Sequence, residues 1–376
     1  MSVLLWSCLL LSCLCGCSGG KSVTPQGKPT EATEPASAQK SELLETMDQA
    51  VAFVDEMMEN GVERFTLVCS KEVYDALTRT TLRKDDAKMY AYNCLLGQAG
   101  LYDYKIVTAG AMQTISVIVL RMYPGYEILR SVNNGTEDQL SYKLKQTLAE
   151  AKAIADACRT TDPLETAENI QKAICERVVY ANMTNMSDVD TAIAPLLDGA
   201  GDCDGYADAF YLIGGLAGLE VRCLQGTSRY YDHEASKIVS GGHMWNALKL
   251  DGTWRVVDVC WADSDDGVDY TWFNIGKDRA SRSRLWEEDL SVPLLETTDL
   301  STRPETEYSV TSYAELEAAI QGAVAKEQSF FTLIFDRADY CSKSDAFNIL
   351  MDVYPGEAYY FWDECTRVLT IYTESQ

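Results

Sequence analysis

The chain has 376 residues, of which 47% are hydrophobic and 24% are charged, a composition that predicts a soluble globular protein with two or three domains. Its formal net charge of −25 excludes the basic surface that a nucleic-acid or anionic-lipid partner requires. We expect the acidity to keep a surface-exposed protein in solution.

The first residues, 1–17, predict a lipoprotein signal peptide: they carry no charge, and their apolar run is short for a membrane span. The segment LCGC resembles a bacterial lipobox and makes Cys17 the predicted lipidation site. A plain secretory signal peptide is the alternative, because no Lys or Arg precedes the run and Cys13 and Cys15 leave the choice of cysteine open. Residues 18–40 are rich in Ser, Thr, Pro and Gly and predict a flexible tether. We expect a lipoprotein at the cell surface or periplasmic face, anchored to the membrane through this lipid.

Residues 41–132 predict an N-terminal α/β unit. Apolar side chains recur at helical spacing over 41–60, RFTLVCS is a strand, and a second helical stretch covers 86–98. Two β-rich runs, DYKIVTA and TISVIVLRMY, follow.

Residues 301–376 predict a C-terminal α/β unit with the same order of elements. The segments YAELEAAIQGAVA and SDAFNILMDV are helical, FFTLIFD is a strand, and AYYFWDECTRVLTIYT is a hairpin. The shared order and the common FTL indicate two related units, by duplication or by convergent patterning.

Residues 133–300 form the predicted central domain. One helix covers 137–158, and a second begins at Asp162-Pro163, a cap followed by a proline in the first turn. A loop then leads to GDCDGYADAF, where a third helix begins at Cys203.

Nine cysteines lie beyond the signal segment, enough for four disulfides once one nucleophile is set aside. The positions of Cys158 and Cys175 along the axes of their two helices differ by about 10 Å, which is too far for a disulfide bond. We therefore predict that most of these thiols are buried and reduced.

Cys203 is predicted to be a nucleophile, because the N–H groups and dipole at a helix start favour a thiolate. It needs a base, and the chain contains two histidines. His233 lies in a polar stretch that predicts a solvated loop. His243 opens a hairpin that turns at Asp251-Gly252, a strong two-residue turn signal.

The predicted register of this hairpin brings a carboxylate to the histidine. If Leu250 faces Thr253, then Trp245 faces Asp258 and His243 faces Cys260, all on one side of the ribbon. Asp258 becomes a diagonal neighbour of His243 and can hold its tautomer.

Three segments, GDCDGYADAF, GGHMWN and DGTWRVVDVCW, resemble the signatures of the transglutaminase-like superfamily, which has a papain-like fold. The resemblance implies an α+β core in which a helix bearing the cysteine packs on an antiparallel sheet bearing His and Asp, flanked here by the two small α/β units. It implies Cys203 as nucleophile, His243 as general base and then acid, and Asp258 as the orienting residue.

The resemblance also implies that Tyr206, Trp245 and Trp261 lie near the substrate cleft. We place Asn246 there too, as the alternative orienting residue if the register is one residue off. The chain departs from the family at Cys260, where a threonine is common, and in YTWFNIGKDRASRSRLWEED, which lacks a histidine that many members carry. Cys260 either fills space or traps an oxidised nucleophile as a disulfide.

These residues predict a surface-anchored thiol enzyme that attacks an amide bond of a protein or peptide and forms a thioester. A cysteine peptidase or amidase is favoured. The alternatives are a protein-glutamine transferase and a non-catalytic binding or scaffold protein with an enzyme-like domain. No cofactor or metal is expected, since DSDDG at 263–267 departs from a calcium loop in its glycine and its missing twelfth-position glutamate.

Overall fold

The computed structural model describes residues 39–78, 100–109, 112–181, 187–232, 237–264, 267–286, 306–335, 342–363 and 366–373. The predicted signal peptide, Cys17, the tether up to residue 38 and the 86–98 helix lie outside the described residues.

The first sheet has the strand order β1-β2-β4-β3, with β1 parallel to β2 and the other neighbours antiparallel. Its helices cover one face with a separate apolar core. The elements are β1 (Gln39–Leu44), α1 (Met47–Glu59), β2 (Arg64–Cys69), α2 (Lys71–Thr78), β3 (Gly100–Ala109) and β4 (Met112–Met122).

The helix predicted over 41–60 is wrong at its start. Thr46 caps α1 in a capping box with Gln49, and the preceding residues form β1 instead. Pairing of Leu43 and Leu44 with the next strand overrides the helical spacing of these side chains.

The central domain has an antiparallel sheet of order β12-β7-β8-β9, packed against helices. Its main elements are α3 (Pro124–Asn133), α4 (Tyr142–Cys158), α5 (Pro163–Cys175), β5 (Val179–Tyr180), α6 (Ile193–Leu197), β6 (Ala200–Gly201), α7 (Cys203–Ala217), β7 (Glu220–Asp232), β8 (Lys237–Leu250) and β9 (Thr253–Val257). Short elements follow: α8 (Val259–Ala262), β10 (Asp263–Ser264), β11 (Gly267–Val268), α9 (Lys277–Ala280) and β12 (Arg284–Leu285), with 3-10 turns at Glu137–Gln139 and Tyr270–Trp272.

Helix α7 is the centre of this domain. Nearly all of its first twelve residues are buried, because α3, α4, α5 and the strands β7 and β8 surround it. The sequence stretch YADAFYLIGG is apolar on every side except at Asp208, which fits an enclosed helix. Pro163 starts α5 with Asp162 as its cap, as predicted.

The last sheet repeats the topology of the first, with order β13-β14-β16-β15 and the same parallel and antiparallel neighbours. Two helices cover one face. The elements are β13 (Glu307–Val310), α10 (Tyr313–Ala325), β14 (Phe330–Phe335), α11 (Lys343–Val353), β15 (Ala358–Asp363) and β16 (Val368–Thr373). All except β13, which was not predicted, agree with the predicted segments. The identical topology favours duplication, and the domain boundaries themselves stay a prediction.

Six cysteines in the described ranges form no disulfide bond: Cys69, Cys158, Cys175, Cys203, Cys223 and Cys260. This confirms the predicted reduced state for these six. None of the helices in the described part of the chain combines the length and apolar character that crossing a membrane requires.

Candidate active site

Cys203 is the first residue of α7, as predicted. Asp202 caps this helix by accepting hydrogen bonds from the N–H groups of Asp204 (3.0 Å) and Gly205 (3.2 Å). Burial and the charge of Asp204 raise the pKa of Asp202 to about 8. Sγ of Cys203 lies 3.4 Å from Oδ1 of Asp204, within the range in which a thiol donates a hydrogen bond to a carboxylate.

His243 and Asp258 form a buried pair. Nε2 of the imidazole lies 2.7 Å from Oδ2 of the carboxylate, and both side chains are almost wholly excluded from solvent. A carboxylate accepts hydrogen bonds, so Nε2 carries the proton and Nδ1 the lone pair of the neutral ring. Although burial raises the pKa of Asp258, its contacts with His243 and Arg284 lower that pKa to about 2.

The hairpin register holds near the turn and then ends. Leu250 faces Thr253 as predicted, but the last pair is Asn246 with Val257. Asp258 leaves the strand: its N–H donates to the carbonyl of Trp272, and its Oδ1 accepts from the N–H of Trp261 at 3.1 Å. Asp258 is thus the cap of α8, and the carboxylate reaches His243 from a helix start.

Two predicted pairings are therefore wrong. Trp245 does not face Asp258, and Cys260 does not face His243, because the chain turns into α8 before reaching either position. His243 pairs instead with Gly226 on β7. Cys260 is buried in the main core, and its redox role stays a prediction without the strand geometry that suggested it.

The predicted cleft residues separate into two groups. Tyr206, Trp245 and Asn246 are at most 1% exposed. They support the site from within, and their place near a substrate cleft stays a prediction. Trp261 remains partly exposed, and its ring lies 5.6 Å from that of His243.

Asn246 is also excluded as the orienting residue. Its side-chain amide donates to the carbonyl of Ala207 at 3.0 Å and points toward α7, on the face of β8 opposite to His243. Tyr206 donates to the carbonyl of Val178 at 3.1 Å and contacts the carboxylate of Asp263. Both residues fix α7 to its neighbours.

Arg284 is the site residue that the sequence did not reveal. Its Nε lies 3.0 Å from Oδ2 of Asp258, its Nη2 contacts the same oxygen, and the side chain is completely buried. The residue comes from β12, which pairs with β7 and is distant in sequence from the three motifs. In the sequence its segment, SRSRLW, shows only two arginines that alternate with serine, a weak signal.

The described residues contain one cluster of potential metal ligands. In the described ranges, one group has ligand atoms within 4.8 Å of one another, and it consists of the consecutive residues Asp202, Cys203 and Asp204. Asp202 is already used as a helix cap, and we assign this group no metal. His233 and residues 265–266 of the DSDDG turn lie outside the described residues, while Ser264 and Gly267 pair across that turn.

Comparison with known proteins identifies the central segment. Residues 152–259 match the family model of the transglutaminase-like superfamily. The human kyphoscoliosis peptidase is 37% identical over 62 residues, and its mouse counterpart is 36% identical over 62 residues. Each match covers 16% of this chain and 9% of the relative, so the chain spans a small part of these proteins.

Two solved structures superpose on part of this chain. A TGase crystal structure superposes with a TM-score of 0.24 and 11% identity, covering 52% of this chain and 51% of the other. The periplasmic domain of TgpA from Pseudomonas aeruginosa, bound to ethylmercury, gives a TM-score of 0.26 and 18% identity, covering 40% of this chain and 55% of the other. Superpositions this partial do not establish a shared fold, so the assignment rests on the sequence match.

Proposed function

Residues 152–259 belong to the transglutaminase-like superfamily, and from this premise we propose that the protein is a thiol enzyme that cleaves amide bonds of a protein or peptide. The observation that carries the proposal is the buried His243–Asp258 pair in a domain whose central helix begins at Cys203. With Nε2 held by the carboxylate, Nδ1 is the ring nitrogen that exchanges a proton with the thiol.

In the proposed reaction His243 accepts the thiol proton while the sulfur forms a bond to the amide carbon and the carbonyl π electrons move to oxygen. The backbone N–H of Cys203 would meet this oxyanion. The carbon–nitrogen bond then breaks, the leaving amine takes the proton from the imidazolium, and a thioester remains. Water attacks the thioester, gives its proton to His243, and releases the acid with the thiol restored.

Hydrolysis is favoured over transfer to an amine because the partly matching relatives carry the name peptidase. A protein-glutamine transferase remains the second candidate, since the same thioester can react with an amine. The lipid anchor at Cys17 and the surface location belong to the proposal as inferences from the N-terminal sequence.

The first test is labelling of the purified protein with a thiol-reactive probe at pH 7, followed by peptide mapping. Burial raises the pKa of Cys69 to about 11 and raises those of Cys158, Cys175 and Cys223, so these thiols should react slowly. We expect labelling to concentrate on Cys203 and to disappear in Cys203→Ala, while Cys223→Ala serves as the matched control. Labelling of Cys203 no faster than of the other thiols would favour the non-catalytic scaffold.

The second test separates hydrolysis from transfer. The protein is incubated with a glutamine-containing protein and a labelled primary amine, with Cys203→Ala as the control. We expect cleavage products that require Cys203 and little incorporated amine. Efficient incorporation without cleavage would make the protein a transferase.

A further inference from the structure

Arg284 lies under the proposed catalytic pair in a position fixed from several sides. Its backbone pairs with Ser228 on β7, and its Nη1 donates to Oγ of Ser283 at 2.9 Å. Its Nε and Nη2 both reach Oδ2 of Asp258, the same oxygen that Nε2 of His243 contacts. One carboxylate oxygen therefore serves two groups, of which one is permanently positive.

Three tryptophans enclose this guanidinium. Its carbon lies 3.7 Å from the ring centroid of Trp272, 4.4 Å from that of Trp261 and 5.8 Å from that of Trp245. Trp245 and Trp261 also contact the ring of His243, with centroids at 5.7 and 5.6 Å. The cage excludes water from all three charged or chargeable groups, so their mutual interactions are weakly screened.

The charges in this cage decide the form of the imidazole. With Arg284 present, Asp258 and Arg284 sum to zero, and a protonated His243 would add an unbalanced positive charge in a buried site. Without Arg284, the full negative charge of Asp258 would face the imidazole alone and favour the imidazolium. Elements around the ring also carry Cys203 and Asp204 at the start of α7, Cys260 on α8 and Tyr230 on β7.

We propose that Arg284 is a positioning residue of this site: it neutralises and orients Asp258, and thereby keeps His243 in the uncharged form that accepts the proton of Cys203. This assignment rests on the proposed function. It predicts a resting pair of neutral thiol and neutral imidazole, in which Sγ of Cys203, 3.4 Å from Oδ1 of Asp204, can donate to that carboxylate. A resting ion pair of thiolate and imidazolium is the opposite arrangement.

The direct test is an NMR titration of the histidine side chains. The chain has two histidines, so His233→Gln assigns the remaining signal to His243. In the wild type the signal should be that of a neutral ring at pH 7. In Arg284→Gln the titration midpoint should rise by at least about one pH unit, the usual effect of changing one charge nearby. In the pH profile of kcat/KM, the rise on the acid side should move to higher pH by the same amount.

Two variants control this experiment. Arg284→Lys keeps the positive charge but removes the planar guanidinium that contacts Asp258 through two nitrogens. The titration midpoint of His243 should therefore stay near that of the wild type, while kcat falls. Arg282→Gln removes a neighbouring arginine that donates to the carbonyl of Thr366 and does not touch Asp258, so the titration should be unchanged. A uniform loss of activity without a shift of this acid-side rise would mean a structural role alone and overturn the proposal.

A charged imidazole in the wild type at pH 7 would also overturn it, whether or not the Gln variant folds. The titration needs no substrate, so it can fail or succeed independently of the amide-cleaving activity. A folded protein with the expected shift and no activity would refute the proposed function and leave the role of Arg284 intact.

Discussion

Asp258 holds three parts of the molecule at one carboxyl group. One oxygen caps α8, and the other binds His243 and Arg284. The family resemblance predicts that it orients His243. The structure adds a buried guanidinium whose single carboxylate partner among the described contacts is Asp258.

Asp258→Asn should therefore reduce stability as well as activity. Removing one partner of a buried ion pair typically costs about 3–5 kcal/mol, because the other charge is left uncompensated. Urea unfolding of the variant should show a loss in this range. The double variant Asp258→Asn/Arg284→Gln should regain a large part of it, since no buried charge is then unpaired. Additive losses in the double variant would contradict the pairing.

At the scale of elements, α7 is tied to two other segments by one buried carboxylate. Oδ2 of Asp208 accepts from the N–H of Gly125 at 3.1 Å, at the start of α3, and from that of Ala192 at 2.8 Å. Gly125 allows this approach, because an added Cβ would lie 2.2 Å from Oδ1 of Asp208. Burial raises the pKa of Asp208 to about 7, although these two hydrogen bonds lower it.

This shift predicts that stability falls as the pH rises from about 4 to 7. In the unfolded chain an aspartate loses its proton near about pH 4. The folded protein keeps the proton on Asp208 until about pH 7, so between these values the folded state binds more protons. Thermal unfolding should therefore give a higher Tm at pH 5 than at pH 8.

Asp208→Asn should flatten this dependence, because the amide oxygen can still accept both N–H bonds and no proton is lost. The pKa of Asp269 is also raised, to about 6, and that of Asp202 to about 8, so part of the pH effect should remain in the variant. Asp198→Asn, at the exposed end of α6, is the control. An unchanged slope in Asp208→Asn would mean that this carboxyl does not titrate in the window.

The elements also show what a sequence pattern can and cannot reveal. Apart from β13, the strands and helices of the C-terminal unit were predictable, as was the turn at Asp251, because their signals are local. The strand pairing beyond Asn246 was not predictable. Asp258 caps α8 and donates its N–H to the carbonyl of Trp272 instead of pairing within the hairpin, and this depends on tertiary contacts that the local sequence does not contain. Arg284 was missed for the same reason, since it meets the site only through the pairing of β12 with β7.

At the scale of the whole molecule, the C-terminal unit braces the segment that carries Arg284. Oγ1 of Thr370 on β16 lies 2.7 Å from that of Thr271 and 3.2 Å from that of Thr332. Tyr372 donates to the carbonyl of Val268 at 2.9 Å, and Arg279 pairs with Glu307 at 3.1 Å. These contacts join β16 and β13 to residues 267–284, immediately before the buried arginine.

Thr370→Val should therefore affect both stability and the site. Its side chain is wholly buried, and the change leaves the hydroxyls of Thr271 and Thr332 without this partner, at a cost of about 1–3 kcal/mol. Thr373→Val is the matched control: it removes a hydroxyl that donates to the carbonyl of Gln328 inside the same unit, away from the interface. We expect both variants to lower the Tm. Only Thr370→Val should also lower kcat and perturb the His243 NMR signal, because Thr370 contacts residues 267–284 and Thr373 does not. Equal effects of the two variants on kcat would show that the C-terminal unit contributes stability without positioning Arg284.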